Sequence, residues 1–232
     1  MAPITFAHRG GGADAPENTL AAFRRALELG ATGLESDARL SGDGEVVLVH
    51  DAVIRRGLRR IRVDATPAAD LSEMGVPRLA DLYAEVGTRF DLSIDLKVPG
   101  AAGSILHVAR TAGDPSALWL CSRDADLLRR LRSEDPDVRL VQSLGRRRGG
   151  GGLERLAAGL ARDGIRALNL HESDCSLGVV SLVHRFGLLA FAWDAQEARR
   201  IRAVLGMGVD GIYSDHVERM VATVGEWSVG PG

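Results

Sequence analysis

Short apolar segments alternate with amphipathic segments along almost the whole 232-residue chain, and this alternation limits the possible folds more than any other feature. The short segments have the length and composition of buried strands, whereas the longer ones repeat their apolar residues with the period of a helix. In Asn18–Leu29, for example, Asn18 is predicted to cap a helix and Gly30 to end it. The predicted strands are Ile4–Ala7, Gly33–Ala38, Val46–His50, Leu92–Leu96, Leu118–Ser122, Arg139–Leu144, Ala167–His171, Leu188–Trp193 and Gly211–Asp215. The other predicted helices are Leu79–Val86, Ile105–Thr111, Ala125–Arg132, Leu153–Arg162, Val179–Phe186, Ala195–Leu205 and His216–Val224.

This strand–helix alternation predicts a parallel sheet, because parallel strands need a helical crossover between them. About eight such units favour a closed (β/α)8 TIM barrel that forms a single domain. The run Val46–His50 follows Gly33–Ala38 after a turn too short for a helix, so we expect these two runs to form a hairpin within one unit. An open doubly wound sheet is the alternative, but the glycines after His8 lack the spacing of its phosphate-binding fingerprint.

Composition argues against several classes of protein. The net charge is −2 and the mean hydropathy is near zero, so no electrostatic case exists for nucleic-acid binding. No apolar run reaches the roughly 18 residues of a transmembrane segment. The N-terminal residues lack the basic and apolar regions of a secretory leader, and the two distant cysteines, Cys121 and Cys175, suggest neither a disulfide framework nor a zinc site. We therefore expect a cytoplasmic protein, and these features do not distinguish a monomer from an oligomer.

Two segments have the composition of irregular structure. Residues 146–152 are three arginines followed by four glycines, which predicts either a solvated loop or a cationic flap at the barrel mouth. The residues from Gly225 onward show no periodic pattern. We therefore assign residues 1–225 to the barrel and residues 226–232 to a flexible tail.

Charged residues stand inside predicted strands, where apolar residues are expected. Alternation turns Asp95 and Lys97 toward the lumen of the barrel, and it does the same for Glu35 and Asp37. Because a buried carboxylate costs several kcal/mol unless it is paired or binds a metal, three of them favour a hard cation such as Ca²⁺ or Mg²⁺. The alternative is a set of salt bridges, from arginines to Glu35 and Asp37 and from Lys97 to Asp95. Lys97 is the only lysine among 29 basic residues.

Two histidines, His8 and His50, each end a predicted strand. In a TIM barrel the carboxyl ends of the strands carry the active site. Two imidazoles at that end can act as a general acid and a general base, unless they are structural or exposed. Arg9 and Lys97 offer fixed positive charge for a phosphate. Together with the carboxylates, these residues suit phosphoryl-transfer chemistry.

Several short motifs occur in the order in which the glycerophosphodiester phosphodiesterase family has them. The resemblance is specific in the first half of the chain and weak between Leu118 and His171. The segments that resemble the family's motifs are Ala7-His8-Arg9-Gly10 with Pro16-Glu17-Asn18-Thr19, Glu35-Ser36-Asp37, His50-Asp51, Val76-Pro77-Arg78-Leu79, Asp95-Leu96-Lys97, Trp193 and Gly208–Asp215.

This resemblance implies a TIM barrel that uses a divalent cation, commonly Ca²⁺ or Mg²⁺. It implies a small-molecule phosphodiester substrate, hydrolysed to glycerol 3-phosphate and an alcohol. By this resemblance, Glu35, Asp37 and Asp95 would bind the metal. His8 and His50 would be the acid–base pair. The substrate would be bound by Arg9, Lys97 and Trp193. Trp193 has an equally good interpretation as a core aromatic residue of the barrel.

The sequence departs from the family's pattern at three places. Asp95 replaces a glutamate and is shorter by about 1.5 Å, and Asp-x-Lys resembles the related sphingomyelinase D type of phospholipase. Trp193 is followed by Asp194, Ala195 and Gln196, which differ from the family's usual residues. The stretch after His50 lacks the usual threonines and is short, which predicts an open mouth that admits lysophospholipid-like substrates. Two alternatives follow, namely phospholipase D or sphingomyelinase-D-like action on lysolipids, and a catalytically inactive barrel that binds a phosphorylated ligand.

Overall fold

The computed structural model of this protein describes residues 2–146 and 152–229. Within these residues the chain forms eleven strands and nine α-helices. The strands are β1 (Ile4–Ala7), β2 (Gly33–Leu40), β3 (Val46–Leu48), β4 (Val53–Arg56), β5 (Arg59–Arg62), β6 (Asp91–Leu96), β7 (Leu118–Ser122), β8 (Arg139–Ser143), β9 (Ala167–His171), β10 (Leu189–Trp193) and β11 (Gly211–Ser214). The helices are α1 (Leu20–Glu28), α2 (Ala68–Glu73), α3 (Leu79–Val86), α4 (Ala102–Ala112), α5 (Ala125–Glu134), α6 (Leu153–Arg162), α7 (Leu177–Arg185), α8 (Ala198–Gly206) and α9 (Val217–Val229).

Eight of these strands close into a barrel. Each pairs in parallel with the next, in the order β1, β2, β6, β7, β8, β9, β10 and β11, and β11 pairs with β1 again. The predicted (β/α)8 TIM barrel is therefore confirmed. Strand β3 pairs antiparallel with the outer end of β2, where Leu48 lies opposite Ala38, which confirms the predicted hairpin.

The barrel strands alternate their side chains between two apolar cores. Residues such as Leu34 and Ile94 face the helices and are fully buried. Aromatic residues fill the lumen, where the rings of Phe6 and Tyr213 stack with their centroids 4.5 Å apart. A Cβ atom at Gly33 would come within 2.7 Å of the Phe6 ring, so this position admits only glycine without movement of the ring. Because the lumen is a packed core, the space for a ligand lies at one end of it.

A polar cluster covers the aromatic core at the amino ends of the strands. The indole Nε1 of Trp119 donates a hydrogen bond of 2.7 Å to Oδ1 of Asp91, and Nη1 of Arg139 donates one of 3.2 Å to the same oxygen. The Arg139 guanidinium also stacks on the Trp119 ring, 4.8 Å from its centroid. The charges of this cluster therefore compensate one another at the partly exposed amino-terminal end of the barrel, away from the mouth at the carboxyl ends.

The predicted cap of the first helix is wrong by one residue. Thr19, and not Asn18, caps α1, because its side chain accepts a hydrogen bond from the backbone N–H of Ala22. Asn18 has a left-handed backbone with φ of 55°, and its buried side-chain oxygen accepts a 2.7 Å hydrogen bond from the hydroxyl of Ser36. Asn18 thus ties the loop after β1 to the outer face of β2.

The structure adds two elements to those predicted. The strands β4 and β5 form a separate two-stranded hairpin, and helix α2 follows it. The prediction of an irregular chain from Gly225 onward is wrong as far as residue 229, because α9 continues beside α8 and Arg202 forms a 2.8 Å ion pair with Glu226. Residues 147–151, where a cationic flap was one interpretation, and residues 230–232 lie outside the described residues. No helix in the described part of the chain is long and apolar enough to cross a membrane.

Candidate active site

A cavity of about 340 Å³ opens at the carboxyl ends of the barrel strands. It is lined by all eight of the residues that the sequence singled out. These are His8, Arg9, Glu35, Asp37, His50, Asp95, Lys97 and Trp193. The barrel thus brings together residues that are up to 185 positions apart in the chain, while the role of each remains a prediction.

Three carboxylates lie on the neighbouring strands β2 and β6. Asp37 and Asp95 are register partners, and Glu35 lies one pleat deeper on the same face. The Lys97 ammonium bridges the pair, with Nζ 2.9 Å from Oδ1 of Asp37 and 2.5 Å from Oδ2 of Asp95. The predicted alternative of a salt bridge from Lys97 is therefore present in the structure, and this lysine balances part of the negative charge.

The loop after β1 brings Arg9 to the same carboxylates. Its backbone is left-handed, with φ of 51°, and this turn directs its N–H to Oε2 of Glu35 at 3.0 Å. The side chain reaches Oε2 of Glu17 at 2.8 Å. Its Nε lies 3.0 Å from Oδ2 of Asp37, but the orientation leaves both buried atoms without a hydrogen bond. Asp37 thus keeps a buried oxygen whose hydrogen-bonding capacity is not used.

The acidic cluster changes the protonation of Glu35. Burial raises the pKa of this carboxyl to about 7, and the charges of Asp37 and Asp95 add to the rise, against the lowering effects of His8 and the Arg9 N–H. A buried carboxyl whose ionisation is disfavoured, beside a carboxylate oxygen of Asp37 without a hydrogen bond, has the donor chemistry that a hard cation prefers. The described residues contain no group of three His, Cys, Asp or Glu side chains already at metal-binding spacing.

The carboxylate of Asp215 holds the imidazole of His8. Nδ1 of His8 lies 2.6 Å from Oδ1 of Asp215, which follows β11, and its Nε2 lies 3.7 Å from Oε2 of Glu35. Burial alone would lower the pKa of His8, but Glu35 and Asp215 together raise it to about 9. The amide of Gln196 donates to Oδ2 of Asp215 at 2.5 Å and accepts from the Asp215 backbone N–H at 2.9 Å, so Asp215 is itself held in place.

The second histidine lies at the rim of the cavity. The side chain of His50 is 44% exposed, and its Nδ1 lies 2.8 Å from Oδ1 of Asp51. Nε of Arg39 donates a 2.9 Å hydrogen bond to the His50 carbonyl oxygen and so fixes the backbone from the adjacent strand. The ring is therefore accessible to a ligand and is oriented by a carboxylate, as a proton-transfer group requires.

Comparison with known proteins identifies the family. Residues 8–219 match the model of the glycerophosphoryl diester phosphodiesterase family. The chain belongs to this family. Its enzyme class is therefore that of the phosphoric diester hydrolases.

Three relatives match this chain over almost the full length of both chains. A glycerophosphodiester phosphodiesterase of Caldanaerobacter subterraneus is 24% identical over 97% of this chain and 98% of its own. The crystal structure of the glycerophosphodiester phosphodiesterase of Thermotoga maritima matches with a TM-score of 0.83 at 25% identity, over 96% of this chain and 98% of that one. An Oleispira antarctica phosphodiesterase, solved in complex with the product sn-glycerol-3-phosphate, matches with a TM-score of 0.83 at 22% identity, over 97% of this chain and 98% of that one.

In this member of the family, Trp193 faces the cavity from the side opposite β2 and β6. Its Nε1 donates a 3.2 Å hydrogen bond to the Leu144 carbonyl oxygen, and its ring meets that of His171 edge to face at 4.5 Å. The next residue, Asp194, has φ of 67°, and its Oδ2 lies 3.1 Å from Nε2 of His171. Trp193 is therefore fixed on two sides, and it both lines the cavity and packs against the aromatic core of the lumen.

Sequence reasoning missed other cavity residues of this family member. Asp215 and Gln196 act on His8, as described above. Asn169 is nearly buried, and its Oδ1 has no hydrogen-bond partner. Arg123 is exposed, and no carboxylate among the described residues pairs with it. The available signal was position, because Asn169, Arg123 and Asp215 all follow the inward-facing alternation of their strands up to the mouth.

Proposed function

We propose that this chain hydrolyses glycerophosphodiesters to glycerol 3-phosphate and an alcohol, with His8 and His50 as the acid–base pair. The observation that carries the proposal is the position of His8 between Asp215 and Glu35 in a cavity rich in fixed positive and negative charge. The family supports this reaction, and so does the product in the Oleispira antarctica structure.

A divalent cation, Ca²⁺ or Mg²⁺, would be held by Glu35, Asp37 and Asp95. Two observations support this set, namely the unused buried oxygen of Asp37 and the raised pKa of Glu35. When bound, the cation would supply positive charge for a phosphate oxygen. Lys97 touches both Asp37 and Asp95, so it holds these carboxylates in place and adds its own charge to the site.

Different side chains of this protein bind the phosphate, contact the organic part of the substrate and transfer protons. Arg9, Lys97 and Arg123 attract and orient the phosphate, and Trp193 packs on the organic part of the substrate. His50 accepts a proton from the attacking water as the water oxygen forms the new P–O bond, so that the phosphate stays on glycerol. His8, charged and held by Asp215, gives its proton to the alcohol oxygen as the old P–O bond breaks.

The substrate in this proposal is a small molecule, and the predicted cytoplasmic location suits it. Cys121 and Cys175 are both free and buried, as expected in a reducing compartment. The localisation itself remains a prediction.

Product analysis on purified protein tests the proposal. The chain is incubated with glycerophosphocholine in the presence of EDTA, Ca²⁺ or Mg²⁺, and free glycerol 3-phosphate and choline are measured. We expect both products in a metal-supplemented reaction. Lysophosphatidic or cyclic phosphate products from lysophosphatidylcholine, with no hydrolysis of glycerophosphocholine, would instead support the phospholipase D-like alternative. Tight binding of glycerol 3-phosphate without turnover of either compound would support an inactive barrel.

A further inference from the structure

The hairpin formed by β4 and β5 concentrates positive charge in a protein whose net charge is −2. We define the hairpin tip as residues 55–60, with the sequence Arg-Arg-Gly-Leu-Arg-Arg, and every one of these residues is exposed. The turn consists of Gly57 and Leu58, and Gly57 has φ of 60°. The tip thus carries four arginines within six positions.

The pairing of the strands sets these arginines against one another. Arg55 lies directly opposite Arg60, and Arg56 lies directly opposite Arg59. Like charges in such positions destabilise a hairpin. No carboxylate among the described residues pairs with any of the four, whereas Arg62, at the base, forms a 2.7 Å ion pair with Asp64. The tip therefore carries four positive charges that no acidic side chain of the described structure neutralises and that an anionic surface would neutralise.

The base of the hairpin is anchored, so the tip has a defined position. Ile54 packs against a small apolar cluster that includes Val63 and Leu71, and the Val63 N–H donates a 3.1 Å hydrogen bond to the Ala52 carbonyl oxygen. The side chain of Leu58 at the apex touches none of this cluster and is fully exposed. The apex therefore presents an aliphatic side chain flanked on each side by a pair of arginines.

The hairpin also stands beside the mouth of the barrel. It follows His50 and Asp51 directly, and a shallow pocket lined by Arg9, His50, Ile54 and Arg55 connects the two. A surface that contacts the tip would consequently lie next to the opening of the active-site cavity.

From these observations we propose that the hairpin tip docks on membranes that contain anionic phospholipids, with the arginines against the head groups and Leu58 inserted among them. Arginines near an anionic bilayer each contribute to binding, and an apolar side chain at the interface adds to it. A single-stranded nucleic acid fits less well, because the hairpin offers no aromatic side chain on which bases could stack.

Vesicle cosedimentation of the full chain tests this docking. The probes are vesicles of phosphatidylcholine alone and of phosphatidylcholine mixed with phosphatidylglycerol. One variant replaces three tip arginines by glutamine, at positions Arg56, Arg59 and Arg60, and keeps Arg55, which lines the pocket shared with His50. The matched control replaces three exposed arginines that have no carboxylate partner among the described residues and lie away from the hairpin, namely Arg89, Arg130 and Arg155.

We expect the unmodified chain and the control variant to bind the anionic vesicles and to be released by salt. At about fivefold per arginine, the tip variant should bind about a hundredfold more weakly, and Leu58→Asp should also weaken binding. Hydrolysis of soluble glycerophosphocholine should be the same in all of these proteins, so a loss of docking is distinguishable from a failure of the proposed reaction or of folding. Equal binding by the tip and control variants would overturn the proposal, as would no binding of the unmodified chain to anionic vesicles at low salt. Retention of an oligonucleotide in preference to anionic vesicles would also overturn it.

Discussion

Nδ1 of His8 lies 2.6 Å from Oδ1 of Asp215, although the two residues are 207 positions apart in the chain. The contact exists because the barrel closes, which makes β1 and β11 neighbours in register. A carboxylate on Nδ1 fixes the orientation of the imidazole and favours its charged form. Asp215 is therefore a positioning residue for the acid that we propose.

Replacement of this carboxylate should weaken His8 without removing it. In Asp215→Asn we expect kcat to fall about 100-fold, and the alkaline limb of the pH–rate profile to move to lower pH, because the pKa of His8 loses one of its two supports. The measurement is kcat as a function of pH with glycerophosphocholine. Asp114→Asn, which changes a half-buried carboxylate outside the cavity, is the control. An unshifted alkaline limb in Asp215→Asn would show that Asp215 does not act through His8.

Removal of either imidazole should affect turnover directly. His8→Ala and His50→Ala should each lower kcat by about 100-fold or more, because each deletes one partner in proton transfer. His107→Ala removes an exposed imidazole from α4, outside the cavity, and should turn over at the normal rate. Near-normal kcat in both active-site variants would remove the acid–base pair from the mechanism.

The charge of His8 should also be visible in the stability of the metal-free protein. The pKa of His8 is about 9 in the folded chain and 6.5 for a free imidazole, so the folded state binds the proton more tightly. The stabilisation is thus fully present below about pH 6.5 and is lost as the pH rises through about 9. Because the His8 side chain is about one-third exposed, we expect its charge to stabilise the folded state by only about 1–2 kcal/mol.

Urea denaturation in EDTA at several pH values measures this effect. The free energy of unfolding of His8→Gln is subtracted from that of the unmodified chain at each pH, which cancels the titration of groups that do not interact with His8. A difference that stays constant from mildly acidic to alkaline pH would contradict the raised pKa of His8.

The carboxylates predict a dependence on divalent cations. We expect EDTA to abolish hydrolysis and Ca²⁺ or Mg²⁺ to restore it. Asp95→Ala should raise the cation concentration needed for half-maximal activity by at least about tenfold, because it removes one of three anionic ligands. Calorimetric titration of the cation into each protein, without substrate, gives a second readout. Full activity in EDTA would argue that Lys97 and Arg9 supply all the positive charge the reaction needs.

The strand alternation was enough to predict the inward faces of β2 and β6. Alternate residues of a strand point to opposite faces, so a strand can turn only one of its two sets of side chains toward the helices. In β2 and β6 the apolar set faces the helices, and Glu35, Asp37 and Asp95 therefore face the cavity. The placement of His8 followed from the end of β1, whereas His50 lies two residues beyond β3, which pairs antiparallel with β2 and is not a barrel strand. Local patterns predicted the fold class and most of the site residues, and the family resemblance added Trp193.

What the sequence could not supply depends on contacts between distant segments. The partnership of His8 with Asp215 requires the closing register of the barrel, which no local pattern encodes. Thr19 and Asn18 are equally good caps by residue type, and the hydroxyl of Ser36 decides between them by binding Asn18. The hairpin of β4 and β5 was missed because arginines stand where a strand normally alternates apolar and polar residues, although Gly57 at the first turn position is a favourable hairpin signal.

Arg123 offers the last test, because it differs from the other cations of the cavity. Arg9 and Lys97 are held by carboxylates, whereas Arg123 has no carboxylate partner among the described residues and can meet a phosphate without first leaving an ion pair. In Arg123→Gln we therefore expect KM to rise about five- to tenfold while kcat stays nearly constant. Added salt should reduce the difference in KM between this variant and the unmodified chain. Arg123→Lys should restore part of the affinity, and Arg130→Gln, on the outer helix α5, should leave KM unchanged. A KM in Arg123→Gln equal to that of the Arg130→Gln control would mean that the substrate phosphate does not reach β7.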